Sequence, residues 1–257
     1  MYYKIVFFDI DGTLVDEGNN MPQSTVDAVE KIRKKGMKVV LATGRAPVHI
    51  RKVAKKLNIS SYICCNGSIV RYEGEKLYSE SIEEETVYEI AKNANEKNHP
   101  LIKFTENNCI ANVEFDHKIK STYKVLLDTK PIVQPNFYDK EDVYQLYLYC
   151  NEGEQRIYER KHPQLKFTRW YPYTVDISDK TMNKSVGIER VLHHLNIRKE
   201  EAIAFGDNLN DLEMLSYVGV GVAMGNAVEE AKKKADFVTK PLYEDGIHYA
   251  LEKLQVI

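Results

Sequence analysis

A nearly continuous apolar run, Tyr3-Lys4-Ile5-Val6-Phe7-Phe8, stops at two carboxylates two positions apart, Asp9 and Asp11, and is followed by Gly12-Thr13. A short run with no polar face reads as a strand covered on both sides, the situation of a parallel sheet with crossover helices. The next residues repeat that rhythm. Pro22 sits where a first helical turn begins, Val26, Val29 and Ile32 recur at helical spacing, and Gly36 ends the segment. Lys38-Val39-Val40-Leu41-Ala42 is a second buried strand, closed by Thr43-Gly44-Arg45. A helix from about Pro47 to Leu57 leads to a third strand, Tyr62-Ile63-Cys64, which ends at Asn66-Gly67.

The texture changes between residues 83 and 182. Leu101–Phe104, Gln145–Tyr149 and Lys166–Trp170 read as strands, with helices near Glu84–Asn95 and Glu154–Lys161. Better alternation and many tyrosines predict an antiparallel sheet with one exposed face. After Asn183 the first rhythm returns. A helix runs to about His194, a strand Glu201–Phe205 ends at Gly206-Asp207, and a helix follows near Asp211–Leu215. A strand at Val218–Val222, a helix at Ala227–Lys234, a strand near Phe237-Val238 and a helix from about Asp245 to Leu254 complete the chain. The expected organisation is α/β: a parallel-sheet, Rossmann-like core over 1–82 and 183–257, with an α+β domain, 83–182, inserted into it.

Two carboxylates directly after a buried strand are costly unless a cation or partner compensates them. If the chain stays extended, Asp9 and Asp11 share one side and Ile10 turns away. Gly12 and Thr13 permit a turn whose amides face an anion. Thr43 and Gly44 offer a hydroxyl and an amide at the end of the second strand. Lys184 opens the helix after the insertion, and Gly206-Asp207-Asn208-Leu209-Asn210-Asp211 is a second acidic loop at a strand end. In open α/β sheets ligands bind outside the carboxyl ends of the strands, so these groups converge on one crevice. Carboxylates for a hard cation, with hydroxyl, ammonium and amide groups for phosphate oxygens, make up what phosphoryl transfer requires.

In that order, Asp9-Ile10-Asp11-Gly12-Thr13, Thr43-Gly44-Arg45, Lys184 and Gly206–Asp211 resemble the signature pieces of the haloacid dehalogenase superfamily of phosphohydrolases, in particular its Cof-type subfamily. Met224-Gly225-Asn226-Ala227 and Glu244-Asp245-Gly246 fit that subfamily too, and the insertion resembles its cap domain in position and size. The resemblance implies Asp9 as nucleophile and Mg²⁺ ligand, and Asp11 as general acid and base with its backbone carbonyl on the metal. Asp207 then completes the protein's metal ligands. Gly12, Thr13, Thr43, Gly44, Lys184 and Asn210 are implied at the phosphate, and Asp211 behind the ligands. One departure stands out: the usual Lys-Gly of the third piece is Lys184-Ser185 here. The implied substrate is a small phosphorylated metabolite, such as a sugar phosphate or phosphorylated cofactor, read by the cap.

Several bland readings stand beside these. Asn210 and Asp211 are also good helix caps, Arg45 is as readily structural as substrate-binding, and Asn66-Gly67 is either a plain turn or part of the crevice lining. A sugar phosphomutase uses the same paired aspartates, and a non-catalytic phospholigand sensor on this scaffold has no need of them. With 36 basic against 38 acidic side chains, nothing suggests a nucleic-acid-binding surface. No apolar run approaches the ~18 residues of a membrane helix. The amino terminus enters a strand without a leader, and Cys64, Cys65, Cys109 and Cys150 lack paired spacing, so the expectation is free thiols in the reducing cytoplasm.

Overall fold

The computed structural model describes residues 2–114, 116–126, 130–134 and 141–257. In chain order the elements are β1 (Ile5–Phe8), α1 (Gln23–Lys34), β2 (Lys38–Ala42), α2 (Pro47–Leu57), β3 (Tyr62–Cys64), β4 (Ile69–Tyr72) and β5 (Glu75–Ser79). Next come α3 (Glu84–Glu96), β6 (Leu101–Phe104), β7 (Cys109–Ala111), α4 (His117–Leu126), β8 (Ile132–Val133), β9 (Gln145–Tyr149), α5 (Glu152–Lys161), β10 (Leu165–Tyr171) and β11 (Thr174–Asp179). The chain closes with α6 (Lys184–Leu195), β12 (Ala202–Gly206), α7 (Leu212–Tyr217), β13 (Val220–Ala223), α8 (Glu229–Lys234), β14 (Phe237–Val238) and α9 (Gly246–Lys253). These elements fall into two compact units, one formed by Met1–Gly44, Lys52–Ser79 and Asn183–Ile257, the other by Arg45–Arg51 and Glu80–Met182.

The first unit is built on an eight-stranded sheet in the order β14-β13-β12-β1-β2-β3-β4-β5. β1 is wholly buried and pairs in parallel with β2 on one side and β12 on the other, Phe8 lying level with Leu41 and Phe205. Burying such a side chain fully is worth about 1.5–3 kcal/mol, which explains why no residue of β1 can be polar. Chain order runs outward from β1 in both directions, so the topological switch lies at the β1–β12 boundary, where ligands of such sheets bind. The sheet is not parallel throughout. β4 and β5 extend it as an antiparallel hairpin turned at Glu73-Gly74, a feature absent from the sequence reading. α1 follows Pro22 and buries Thr25, Ala28, Val29 and Ile32, while Lys31, Arg33 and Lys34 complement its carboxyl end.

The second unit carries a six-stranded sheet, β10-β11-β9-β6-β7-β8, antiparallel except for the β7–β8 pair. Leu101, Leu146, Leu148, Val175 and Ile177 of one face pack with Val87, Ile90 and Ala94 of α3 and Tyr158 of α5 into a core of its own. α5 starts at a capping box, Asn151 accepting from the Glu154 amide and Glu154 from the Asn151 amide. β7, β8, β11 and α4 were not expected from the sequence. β7 and β8 are three and two residues long, and Thr174-Val175-Asp176-Ile177-Ser178-Asp179 offers only two apolar positions in six.

Asp176 points away from that core, accepting a 2.8 Å hydrogen bond from Gln145 Nε2 while its Oδ1 is shielded without a protein partner. Burial pushes its carboxyl up to about 7, against the opposing pull of the Gln145 bond. The folded value lies above the unfolded one, so the unfolded chain is favoured as pH rises between them, and the penalty is complete above about 7. Asp176→Asn should therefore raise the melting temperature over the parent protein, and by more at pH 8 than at pH 5. Thermal melts at both pH values check this, and a pH-independent gain contradicts it.

Candidate active site

The ends of β1, β2 and β12 bring the sequence-selected residues together because the strands run parallel and in register. Asp9 N–H still donates to Phe205 O (2.9 Å), and Thr43 N–H to Ile63 O (2.8 Å), so both residues leave their strands at one edge of the sheet. Asn183 caps α6 by accepting from the amides of Ser185 (2.9 Å) and Val186 (3.3 Å), which fixes Lys184 as the first helical residue. The serine in place of the usual glycine has a local use: Ser185 Oγ also donates to Asn183 Oδ1, at 2.6 Å.

Lys184 is completely buried, and its Nζ donates to Asp9 Oδ1 at 2.5 Å and to Asp211 Oδ1 at 2.6 Å. Asp211 Oδ2 in turn accepts from the backbone amides of Asp207 and Asn208, both at 2.9 Å. One ammonium thus ties the nucleophile candidate to the acidic loop, and Asp211 braces that loop from behind. Gly12 turns at φ +76, where a side chain would collide with the Asp207 carboxylate; Asp207 can approach only because position 12 has no Cβ. Thr13 Oγ1 donates to Asp207 Oδ1 at 3.1 Å. Asn226, from the later Met224–Ala227 stretch, clamps the turn by donating to Gly12 O (2.8 Å) while accepting from Leu242 N–H (2.9 Å).

The electrostatics are unbalanced toward negative charge. One carboxylate oxygen each from Asp9, Asp207 and Asp211 lies within 4.8 Å of the others, with the Lys184 ammonium among them. Burial raises the Asp9 carboxyl well above its usual range; Lys184 pulls it down, while Asp211, Asp207 and Asp11 push it further up. Burial, then repulsion from Asp211, raises Asp207 to about 7. Lys184 is raised despite burial, which alone lowers an amine, because Asp211 and Asp9 flank it. An all-oxygen donor set with surplus negative charge fits a hard divalent cation. Asp211 already spends its oxygens on an ammonium and two amides, so Asp9 and Asp207 are the carboxylates with capacity left for one. The three-residue group contains Asp211 and not the Asp11 carboxylate.

Thr43 is buried. Gly44 faces two carboxamides, its Cβ position lying 3.1 Å from Asn66 Oδ1 and 3.5 Å from Asn210 Nδ2. Arg45 is buried and donates to His49 O at 3.3 Å, a structural bond. Every residue selected from the sequence within the first unit therefore falls at one edge of its sheet. Asn226 was read only as part of a family stretch and Asn66 only as an open alternative. Their contacts span 214 and 144 positions along the chain, which no local pattern reveals.

Parallel strands at the centre of the sheet, with aspartates beyond their ends linked by a buried lysine, make up a site suited to phosphoryl transfer. The chain belongs to the haloacid dehalogenase-like hydrolase family, whose model matches residues 6–251. Among its relatives is YkrA of Bacillus subtilis (strain 168), named as a phosphatase without a stated substrate; the two are 37% identical over 254 residues, spanning 99% of this chain and 98% of YkrA. A crystal structure of a Geobacillus kaustophilus protein is similar at 42% identity and a TM-score of 0.95, covering 99% of this chain and 100% of that one. A subclass IIB sugar phosphatase of the same superfamily superimposes with a TM-score of 0.86 at 33% identity, again over 99% and 100% of the two chains. No helix among the described residues is long and apolar enough to cross a membrane.

Proposed function

We propose that this protein is a Mg²⁺-dependent phosphatase that hydrolyses a small phosphate monoester, a sugar phosphate or phosphorylated cofactor, through an aspartyl-phosphate at Asp9. The observation that carries the reading is the bridge of the buried Lys184 ammonium between Asp9 and Asp211. It neutralises part of the charge around an attacking carboxylate and holds one of its oxygens in place. The Asp9 carboxylate attacks phosphorus, the ester oxygen departs with a proton from Asp11, and the phosphoryl group rests on Asp9. Water, giving its proton to Asp11, then attacks phosphorus and releases orthophosphate, restoring both aspartates. Asp9, Asp207 and the Asp11 carbonyl would hold Mg²⁺, which would supply charge neutralisation for the transferring phosphoryl oxygens. Lys184, Thr43 and the Gly12-Thr13 and Gly44 amides bind those oxygens, with Asn210 assisting.

The inserted domain, with all the strand-end motifs outside it, is assigned to reading the leaving group. The relationship to a sugar phosphatase supports a sugar phosphate as the substrate class. All four cysteines are buried thiols outside any disulfide, which supports a reducing compartment and hence the cytoplasm.

The test is orthophosphate release from a panel of phosphorylated metabolites, with and without Mg²⁺. Isomerised sugar phosphate in place of free phosphate identifies a mutase instead. Metal removal is expected to abolish release, and full activity in excess chelator sinks the Mg²⁺ requirement. A second readout is independent of turnover. Mg²⁺ relieves the repulsion among Asp9, Asp207 and Asp211, so it should raise the melting temperature by mass action. Asp207→Asn should raise the melting temperature of the metal-free protein, because one repelling carboxylate is gone, and should erase most of the Mg²⁺-induced rise. An undiminished rise in that variant shows that the cation sits elsewhere.

A further inference from the structure

The turn Cys65–Gly67 after β3 departs from a plain connection in two ways. Its three residues all have positive φ, +50 at Cys65, +53 at Asn66 and +111 at Gly67. Asparagine and glycine accept such angles readily, but for cysteine the left-handed region costs about 1–2 kcal/mol. Strain of this kind persists only where the surroundings hold it. Here they hold it from three sides. Asn66 N–H donates to Thr43 O at 3.1 Å. Asn66 Oδ1 accepts from Asn210 Nδ2 at 3.1 Å. Gly67 lies so close to Asn183 that a Cβ would overlap the Asn183 carbonyl oxygen, on the residue that caps α6 just before Lys184. Cys65 and Gly67 are buried and Asn66 is half-buried.

We propose that Asn66 is a positioning residue of the phosphate site. Its carboxamide orients Asn210, and the strained turn around it keeps Thr43-Gly44, Asn210 and the start of α6 in mutual register. The inference rests on the phosphatase reading above, since it assigns Asn66 to the same site. The side chain stands over Gly44, with Nδ2 3.3 Å and Oδ1 3.1 Å from that residue's Cβ position. A side chain there meets two loops that approach from opposite ends of the sequence, and it ties one to the other with a single hydrogen bond. An ordinary β-turn asparagine bonds to its own neighbours two or three residues away; this one bonds 144 positions away.

Asn66→Gly is the appropriate variant, because glycine takes φ +53 without strain while alanine does not. It should lower kcat/KM about tenfold, the worth of one hydrogen bond, and weaken orthophosphate binding, measured by calorimetry with Mg²⁺, by a similar factor. Because the effect passes through Asn210, the double variant Asn66→Gly/Asn210→Ala should be little worse than Asn210→Ala alone. A merely structural role lowers the melting temperature but leaves the two losses additive. Asn66→Asp keeps both the backbone preference and the acceptor oxygen and adds a negative charge, so it should weaken orthophosphate binding further than Asn66→Gly does. Parent-like turnover and phosphate affinity in Asn66→Gly overturn the inference, as do additive losses in the double variant, or unchanged affinity in Asn66→Asp. If the parent protein binds orthophosphate but releases none from any ester, the phosphatase reading fails while the calorimetric comparison still judges Asn66. If it neither binds nor releases phosphate, both fail.

Discussion

Asp9→Asn is expected to cut orthophosphate release by at least about 10⁴-fold, to the background of a mock preparation, in a protein that remains folded. An amide keeps the size and shape of the carboxylate but has no anionic oxygen to attack phosphorus, and losing a nucleophile is among the largest single effects known in enzymes. Stability should not follow activity down. The Lys184 ammonium keeps Asp211 as an anionic partner at 2.6 Å and can donate to the new carbonyl oxygen in place of Asp9 Oδ1. Burial and three neighbouring acids already make the Asp9 charge costly, so its removal relieves repulsion. The variant should melt no lower than the parent protein without metal, the pattern of a site that trades stability for activity. Orthophosphate assays over long incubations, paired with thermal melts, check both halves. Release well above the mock preparation places the nucleophile elsewhere.

What the sequence made legible follows from where local pattern and tertiary structure coincide. β1, β2 and β12 are covered on both faces, so each is a short apolar run with a sharp end, and Asp9, Thr43 and Asp207 stand just past those ends. Such boundaries mark the site without any knowledge of the pairing. Lys184 was readable chiefly through the family resemblance, because a lysine at the start of a helix is more often solvated and Lys180 stands nearby as a competitor; the Asn183 cap that fixes its place emerged only in the structure. The hairpin of β4 and β5 was not legible, because Glu75–Ser79 has no buried residue and gives almost no apolar signal. The roles of Asn66 and Asn226 were hidden by distance along the chain. Each makes its telling hydrogen bond to a loop from the other half of the unit, and a carboxamide carries no periodicity. The strain at Cys65 was invisible for the same reason, since a left-handed cysteine is imposed by neighbours and not by its own preference.

Asp11→Asn separates acid–base chemistry from simple placement of charge. Asp11 lies two residues beyond Asp9, and its carboxylate stays outside the group formed by Asp9, Asp207 and Asp211. On the proposed reading it serves a leaving oxygen without competing for phosphorus. A proton donor matters most when the leaving group is a strong base, such as a sugar alkoxide, and little when it is an acidic phenol. The variant should cleave alkyl esters ~10²–10⁴-fold more slowly, the usual worth of a positioned acid, and release phenol from an aryl phosphate with a much smaller loss. The second step then limits turnover, because the attacking water has lost its base. With the aryl ester the variant should show a burst of phenol close to one equivalent per active site, followed by a slow steady rate. Rapid quench and peptide mapping should find the phosphoryl group on Asp9 during that slow phase. The order of the two steps makes the test asymmetric: a metal-site residue slows both esters alike, because it acts on charge common to both. Equal slowing, with neither burst nor adduct, rejects the acid–base assignment and leaves Asp11 as part of the metal site alone.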